Sequence, residues 1–320
     1  FVDAYDNAIR SLPVPNSGVN ITRLEVWVVN MQANTQDVRN VLAFTDLGEH
    51  EQYISTNIPV QQLVDGPDVQ PTAARNPSNA NNELFDLMVQ DPEVMGFTGS
   101  IGAIGNTGLG LAQGVHFERV GNARKLASTE YTFNSRLGFI SLRQALNNAE
   151  VLAVSYEYTL AGETYKVGTL SQDGFVAPDA LVLKMLKSSV TQVKLSNGDP
   201  APLWRTMMKN VYSMQAFGVS QEDFRLDLWY NDPSTGVDLN YIPREPLDGT
   251  LLLQLLGMDR LDINGQSVQD GVFDFVDNAA TMGGTIESQS GRIFFPSTEP
   301  FGSNLRREIE ERVDDADLAN

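Results

Sequence analysis

The chain has 320 residues, more than one hydrophobic core usually serves, so two domains are expected. Its 41 acidic against 22 basic side chains give a net charge of −19, which favours solubility and disfavours nucleic acid and anionic membrane surfaces, where clustered cations supply the affinity. The lack of cysteine excludes disulfides and thiolate chemistry, and no run approaches the ~20 apolar residues of a spanning helix.

Phe1–Arg10 has no basic n-region and does not read as a signal peptide, and the chain, starting at Phe rather than Met, reads as a fragment or processed piece. Pro13-Val-Pro-Asn-Ser-Gly18 predicts a linker or turn. Ile21–Asn30 predicts a strand, with Leu24, Val26 and Val28 on one face and Arg23, Glu25 and Trp27 on the other. A polar turn at Asn34–Asp37 leads to a second strand over Asn40–Leu47, and the two are expected to form a ribbon. Val60–Asn82, rich in Pro, Asn, Gln and Asp, reads as a surface loop. Leu84, Leu87 and Met88 predict a helix that stops at Asp91-Pro92. The glycine-dense Gly96–Gly114 matches neither a phosphate-binding G-x-G-x-x-G turn nor a G-x-S-x-G elbow and is expected to be a flexible loop.

Tyr131–Leu142 and Thr285–Phe295 each read as two short strands joined by a glycine turn. Superposing Gly138 on Gly291 brings Thr132 onto Thr285, Ile140 onto Ile293 and Leu142 onto Phe295. Val151–Leu160 is the most regular strand of the sequence, and a hairpin at Ala161-Gly162 returns it through Thr164–Leu170. Leu181–Leu186 is expected to open a second unit. Leu203, Met207, Met208, Val211 and Met214 have helical spacing, Phe224–Tyr230 alternates as a strand, Leu251–Met258 suits a short helix, and Leu305–Asp314 an exposed terminal one. The expected fold class is therefore α+β and β-rich: two related modules of antiparallel sheet or sandwich type with a few short helices. Residues 1–20 would be a junction, 21–175 the first module and 176–320 the second.

No reaction centre assembles from the sequence. The two histidines, His50 and His116, lie in dissimilar contexts, and neither H-x-x-x-H nor facial-triad spacing exists. The carboxylates do not single out a glycosidase pair, and Trp27, Trp204 and Trp229 fall in strands or on an apolar helix face, where packing is the default. The best local candidate is D-R-L-D-I-N-G-Q-S-V-Q-D-G-V-F-D, in which Asp259, Asp262, Asn264, Asp270 and Asp274 offer hard oxygen ligands for calcium. EF-hand register fails, because Arg260 and Gly271 would occupy its first and last ligand positions. A calcium loop of another kind and a set of Asx turns both account for the pattern.

Residues Gly114–Thr132 (G-V-H-F-E-R-V-G-N-A-R-K-L-A-S-T-E-Y-T), Leu137–Leu142 (L-G-F-I-S-L) and Glu150–Tyr158 (E-V-L-A-V-S-Y-E-Y) resemble the SprA/Sov family, the giant outer-membrane translocons of the type IX secretion system of Bacteroidetes. Ile21–Val28, Met207–Ser213, Asp259–Asp262 with Asp270–Phe275, Gly291–Pro296 and Glu299–Gly302 extend the match in order over nearly the whole chain. The resemblance implies a soluble insertion of a much larger β-barrel that passes folded proteins across the outer membrane and supports gliding motility. The piece itself would not span the membrane, would face outside as part of a cap, with the periplasm as the alternative, and would carry no catalytic residues and no cofactor. Its implied partners are the rest of the barrel, secreted cargo and accessory outer-membrane subunits, without nucleic acid. In that family the segment like Phe1–Asp3 is expected much farther ahead of the Ile21 strand, so residues 4–20 read as a short or engineered junction. From another class, a cell-surface glycan- or calcium-binding β-sandwich module also fits the composition.

Overall fold

The computed structural model describes residues 2–29, 38–48, 76–81, 84–194, 198, 201–222, 224–279 and 283–319. The chain divides into two compact units, one formed by residues 18–207 and the other by residues 2–17 together with 208–320. Both expected boundaries therefore move. Residues 1–20 are no plain junction: helix α1 (Val2–Ile9) begins the second unit, and it buries Ala8 and Ile9.

The first unit is built on strands β1 (Asn20–Val29) and β2 (Val38–Phe44), helices α2 (Leu84–Gln90), α3 (Pro92–Met95) and α4 (Ser100–Asn106), and strands β3 (Phe117–Lys125), β4 (Tyr131–Asn134), β5 (Phe139–Leu142), β6 (Leu152–Leu160), β7 (Glu163–Val167) and β8 (Leu181–Lys187), followed by helix α5 (Pro202–Thr206). Six of the strands form a sheet in the order β1-β3-β2-β8-β6-β7, and β1 also pairs with β6, so five strands close into a barrel-like ring with β7 as an appendage. The expected β1–β2 ribbon does not form, because β3 inserts between the two and pairs antiparallel with both. β8, expected to open a second module, lies at the centre of this sheet, parallel to β2 and antiparallel to β6. The sheet is thus neither wholly antiparallel nor a sandwich.

Alternation along the strands sorts side chains onto two apolar layers, one per face. Val26, Val28, Leu42, Phe44, Phe117, Val154, Tyr156, Tyr158 and Val182 form one layer, onto which Met88, Val94 and Ile104 of the helices pack. Trp27, Val41, Ala43, Val120, Ala123, Ala153, Leu181, Leu183 and Met185 form the other, with Leu203 of α5 packed against it. Ala153 and Ser155 of β6 are consequently buried on the face that a one-sided strand would leave wet. One edge of β6 is shared: Leu152–Val154 pair with β8 and Tyr156–Leu160 with β7. Gly168 sits where the two partners part, with φ of 77°. A Cβ there would come within 3.1 Å of both the Ser155 Cβ and the Val182 carbonyl oxygen.

Two loop expectations change with this packing. Gly96–Gly114 contains α4, because Ser100, Ala103 and Ile104 bury one side of a helical turn. Most of the Val60–Asn82 loop lies outside the described residues, but its last part is tied to the sheet: the Tyr158 hydroxyl donates to the Pro77 carbonyl at 2.8 Å, and Gly168 N–H donates to Asn79 Oδ1 at 2.8 Å.

The second unit holds α1, strands β9 (Val211–Ser213), β10 (Tyr230–Asn231) and β11 (Asp238–Leu239), helix α6 (Leu252–Leu255), strands β12 (Ile286–Glu287) and β13 (Arg292–Phe294), and helix α7 (Ser303–Ala319). The helix expected from the Leu203–Met214 spacing shrinks to α5, which ends at Met207 in extended backbone, because Val211–Ser213 pairs with β13 instead. Of the expected Phe224–Tyr230 strand only Tyr230 is paired, in β10 with Asn231.

The two repeated signatures are both hairpins in the same register. Asn134 faces Phe139 as Glu287 faces Arg292, with Gly138 and Gly291 at φ of 70° and 61°. Their settings differ: β4–β5 stands as a two-stranded sheet beside the closed ring, whereas β12–β13 gains β9 as a third strand. The hairpins are equivalent, but the units around them are not two copies of one module. Among the described residues, no helix is long and apolar enough to cross a membrane.

Candidate functional site

The five residues offered as calcium ligands come together in one loop of the second unit, between α6 and β12. The loop is anchored by Met258 and Phe273, buried in a cluster with Leu253, Leu256, Ile286, Ile293 and Phe295. Its stem closes through Asp274 N–H, which donates to the Met258 carbonyl at 3.0 Å.

Two buried carboxylates then hold the loop reciprocally. Asp259, fully buried at the start, accepts the N–H groups of Asp270 at 3.1 Å and Gly271 at 2.9 Å, near the end. It also accepts the Gln254 amide at 3.0 Å. Asp274, at the end, accepts the N–H groups of Arg260 at 2.8 Å and Leu261 at 3.1 Å, at the start. Burial pushes the Asp274 carboxyl above its ordinary range, and the neighbouring Asp259 and Asp270 charges add to this against the lowering effect of the two amides.

The tip is a second closed turn. Asp262 Oδ1 accepts the N–H groups of Asn264 at 2.9 Å and Gln266 at 2.8 Å, and the main chains of Asp262 and Gln266 join at 2.8 Å. The Gln266 and Asn264 amides hold the Asp262 carboxyl below its usual range. Asp270 Oδ1 accepts the Val272 N–H at 3.0 Å. All four carboxylates of the set are thus directed at main-chain N–H groups, and Asn264 serves Asp262 through its side-chain amide at 3.4 Å. Asp262 with Asn264 and Asp270 with Val272 have Asx-turn geometry, whereas Asp259 and Asp274 accept amides 11 to 14 residues away. Among the described residues, no three His, Asp or Glu side chains gather as a metal-binding group.

His116 has a local partner: its Nδ1 accepts the Ala112 N–H at 2.9 Å, and burial lowers its pKa. His50 lies outside the described residues. Trp27 is buried between strands, and Trp229 is exposed.

Three polar clusters escaped the sequence reading. Glu25 in β1 accepts Lys125 Nζ at 2.8 Å, Ser171 Oγ at 2.6 Å and Ser171 N–H at 2.8 Å. Burial raises the Glu25 carboxyl, but these donors outweigh it and leave the group below its ordinary pKa. Glu118 in β3 accepts the hydroxyls of Ser188 and Ser189 and the Ser189 N–H. In the second unit, Tyr5 of α1 hydrogen-bonds the buried Asn210, which donates to the Phe295 carbonyl at 2.9 Å, while Asp6 accepts both the N–H and the hydroxyl of Thr298. The sequence signal for these was slight. Glu25 shows as an acid on the Trp27 face of its strand, but nothing local points to Ser171. Chemically, each cluster fixes a loop or segment to the element beside it.

No family model matches the chain, and no curated protein matches it.

Proposed function

We propose that this chain is a soluble portion of a type IX outer-membrane translocon of the SprA/Sov kind, belonging to the extracellular cap and serving protein export and gliding motility as scaffold and gate, not as an enzyme. The observation that carries the reading is the ordered series of segments from Ile21 to Gly302 that resemble that family. Their placement supports a framework role. Segments 21–28, 114–132 and 150–158 supply β1, β3 and β6 of the closed ring, and segment 291–296 supplies β13. Closing five strands into a ring leaves fewer free edges than an open sheet, with β7 as the appended one, and so limits the edge pairing that open sheets invite, which suits a part exposed to passing chains. The buried carboxylates described above also act on loops of this chain, as a scaffold requires.

The test is genetic and topological. Deleting residues 18–207 in the source cell is expected to leave secreted cargo trapped in the periplasm and to stop gliding; normal secretion would overturn the proposal. An epitope inserted after Gly236, in the exposed β10–β11 turn, is expected to bind antibody on intact cells. Binding that requires permeabilised cells would move the unit to the periplasm.

A further inference from the structure

The 259–274 loop does more than close on itself, because it holds three aliphatic side chains in water. Ile263 is 94% exposed at the tip, Val268 54% and Val272 58%. Such side chains in a loose loop would be unremarkable surface residues. Here the Asp259 and Asp274 clamps and the Asp262 turn fix the main chain that carries them. A loop ordered in advance loses little further entropy on binding, so fixed apolar side chains are suited to docking.

The charge around them narrows the partner. Along the sequence no lysine or arginine occurs between Arg260 and Arg292, while Asp262 and Asp270 lie in the loop and Asp277 just after it, with Asp270 and Asp277 exposed and Asp274 buried in the clamp. An anionic lipid surface would repel this collar. So would a second copy of a chain with net charge −19, whose own loop carries the same acids.

We propose that this loop is a docking projection that inserts Ile263, with Val268 and Val272, into an aliphatic pocket of a protein partner bordered by lysine or arginine side chains. Apolar contacts supply the affinity and the acidic collar sets the orientation. The inference rests on the loop and not on the translocon reading, and either can fail without the other.

The test places the photoactivatable residue p-benzoylphenylalanine at position 263 of the full chain in the source cell, with position 236 as the background control, and sequences the cross-linked peptides. Expected is one protein partner whose cross-linked peptide combines aliphatic residues with lysine or arginine. The yield should fall roughly tenfold in the Val268→Ser/Val272→Ser variant, and it should fall when irradiation is done at about 0.5 M salt. An unchanged melting midpoint establishes that this variant folds. If it does not fold, Ile263→Ser with the probe at position 268 replaces it, with the same expected loss. A yield at 263 no higher than at 236 would overturn the proposal, as would cross-links to lipid, to a second copy of this chain or to a peptide without cations, or a yield indifferent to salt.

Discussion

Replacing Gly291 with alanine is expected to weaken the second unit far more than the same change at Gly236. Gly291 ends the β12–β13 turn at φ of 61°, and its carbonyl accepts the Met214 N–H at 2.8 Å. A Cβ at this position would run into the Ala216 carbonyl oxygen and lie 2.8 Å from its carbon. Those are main-chain atoms, so no side-chain rotation relieves the clash. The left-handed backbone costs about 1–2 kcal/mol for a non-glycine residue, and the overpacking adds about 1–3 kcal/mol. Lower entropy of the unfolded chain returns about 0.4–1 kcal/mol. The net expectation is a loss of about 1–5 kcal/mol. Gly236 has φ of 68° with nothing within 4 Å of its Cβ position, so it carries the backbone cost without the clash and should lose about 1.5 kcal/mol or less. Because the chain has two units, native-state hydrogen exchange at the Met214 and Phe294 amides is the readout, supported by urea unfolding. If Gly291→Ala loses no more than Gly236→Ala, the close approach of the hairpin to Ala216 does not stabilise the unit and the reasoning is refuted.

Glu25 and Asp274 should respond to pH with opposite signs. The Glu25 carboxyl is depressed on folding, so its contribution is present above the unfolded value and is lost as pH falls through the folded one; Glu25→Gln should cost about 1–3 kcal/mol at neutral pH and flatten the acid limb of the first unit's stability. The Asp274 carboxyl is raised, so ionisation opposes folding and stability declines as pH rises through the window between the unfolded and folded values. Asp274→Asn should remove that decline, and an unchanged pH profile in either variant would count against the assigned environment. Tyr5→Phe leaves the buried Asn210 without its hydroxyl partner and should cost about 1–3 kcal/mol, with exchange protection lost in residues 208–320 and kept in 18–207; equal loss in both would contradict the assignment of α1 to the second unit. Asp262→Ala deletes the acceptor of the Gln266 amide at an exposed tip, so faster exchange of that amide with an unchanged melting midpoint is expected, and unchanged exchange would refute the turn.

Much of the local structure was legible in the residues. The alternation of Ile21–Asn30 and Val151–Leu160 gave two strands, since side chains of a strand point alternately whatever it pairs with, but the face of Val151–Leu160 expected to be wet buries Ala153 and Ser155. The glycine turns at Gly138 and Gly291 gave two hairpins of equal register. The candidate loop was also visible as a cluster of acids, but its two accounts share one composition. Which of them holds depends on where each carboxylate points, and that is fixed by the burial of Met258, Asp259 and Phe273.

Partner choice was not legible, because hydrogen-bonding edges are alike in every strand and pairing is decided by packing across long separations. β3 separates β1 from β2 although the chain reaches β2 first, and β8 completes the first ring although it follows a run of turns that reads as a boundary. The second unit takes its first helix from residues 2–9 through Tyr5 with Asn210 and Asp6 with Thr298, contacts that span 205 and 292 residues and leave no local pattern. Local periodicity thus determined the strands, the hairpins and the acid-rich loop. Tertiary structure alone decided the closure of the ring, the discontinuous second unit and the reciprocal clamp that carries Ile263 into solvent, because each depends on which distant surface becomes buried against which.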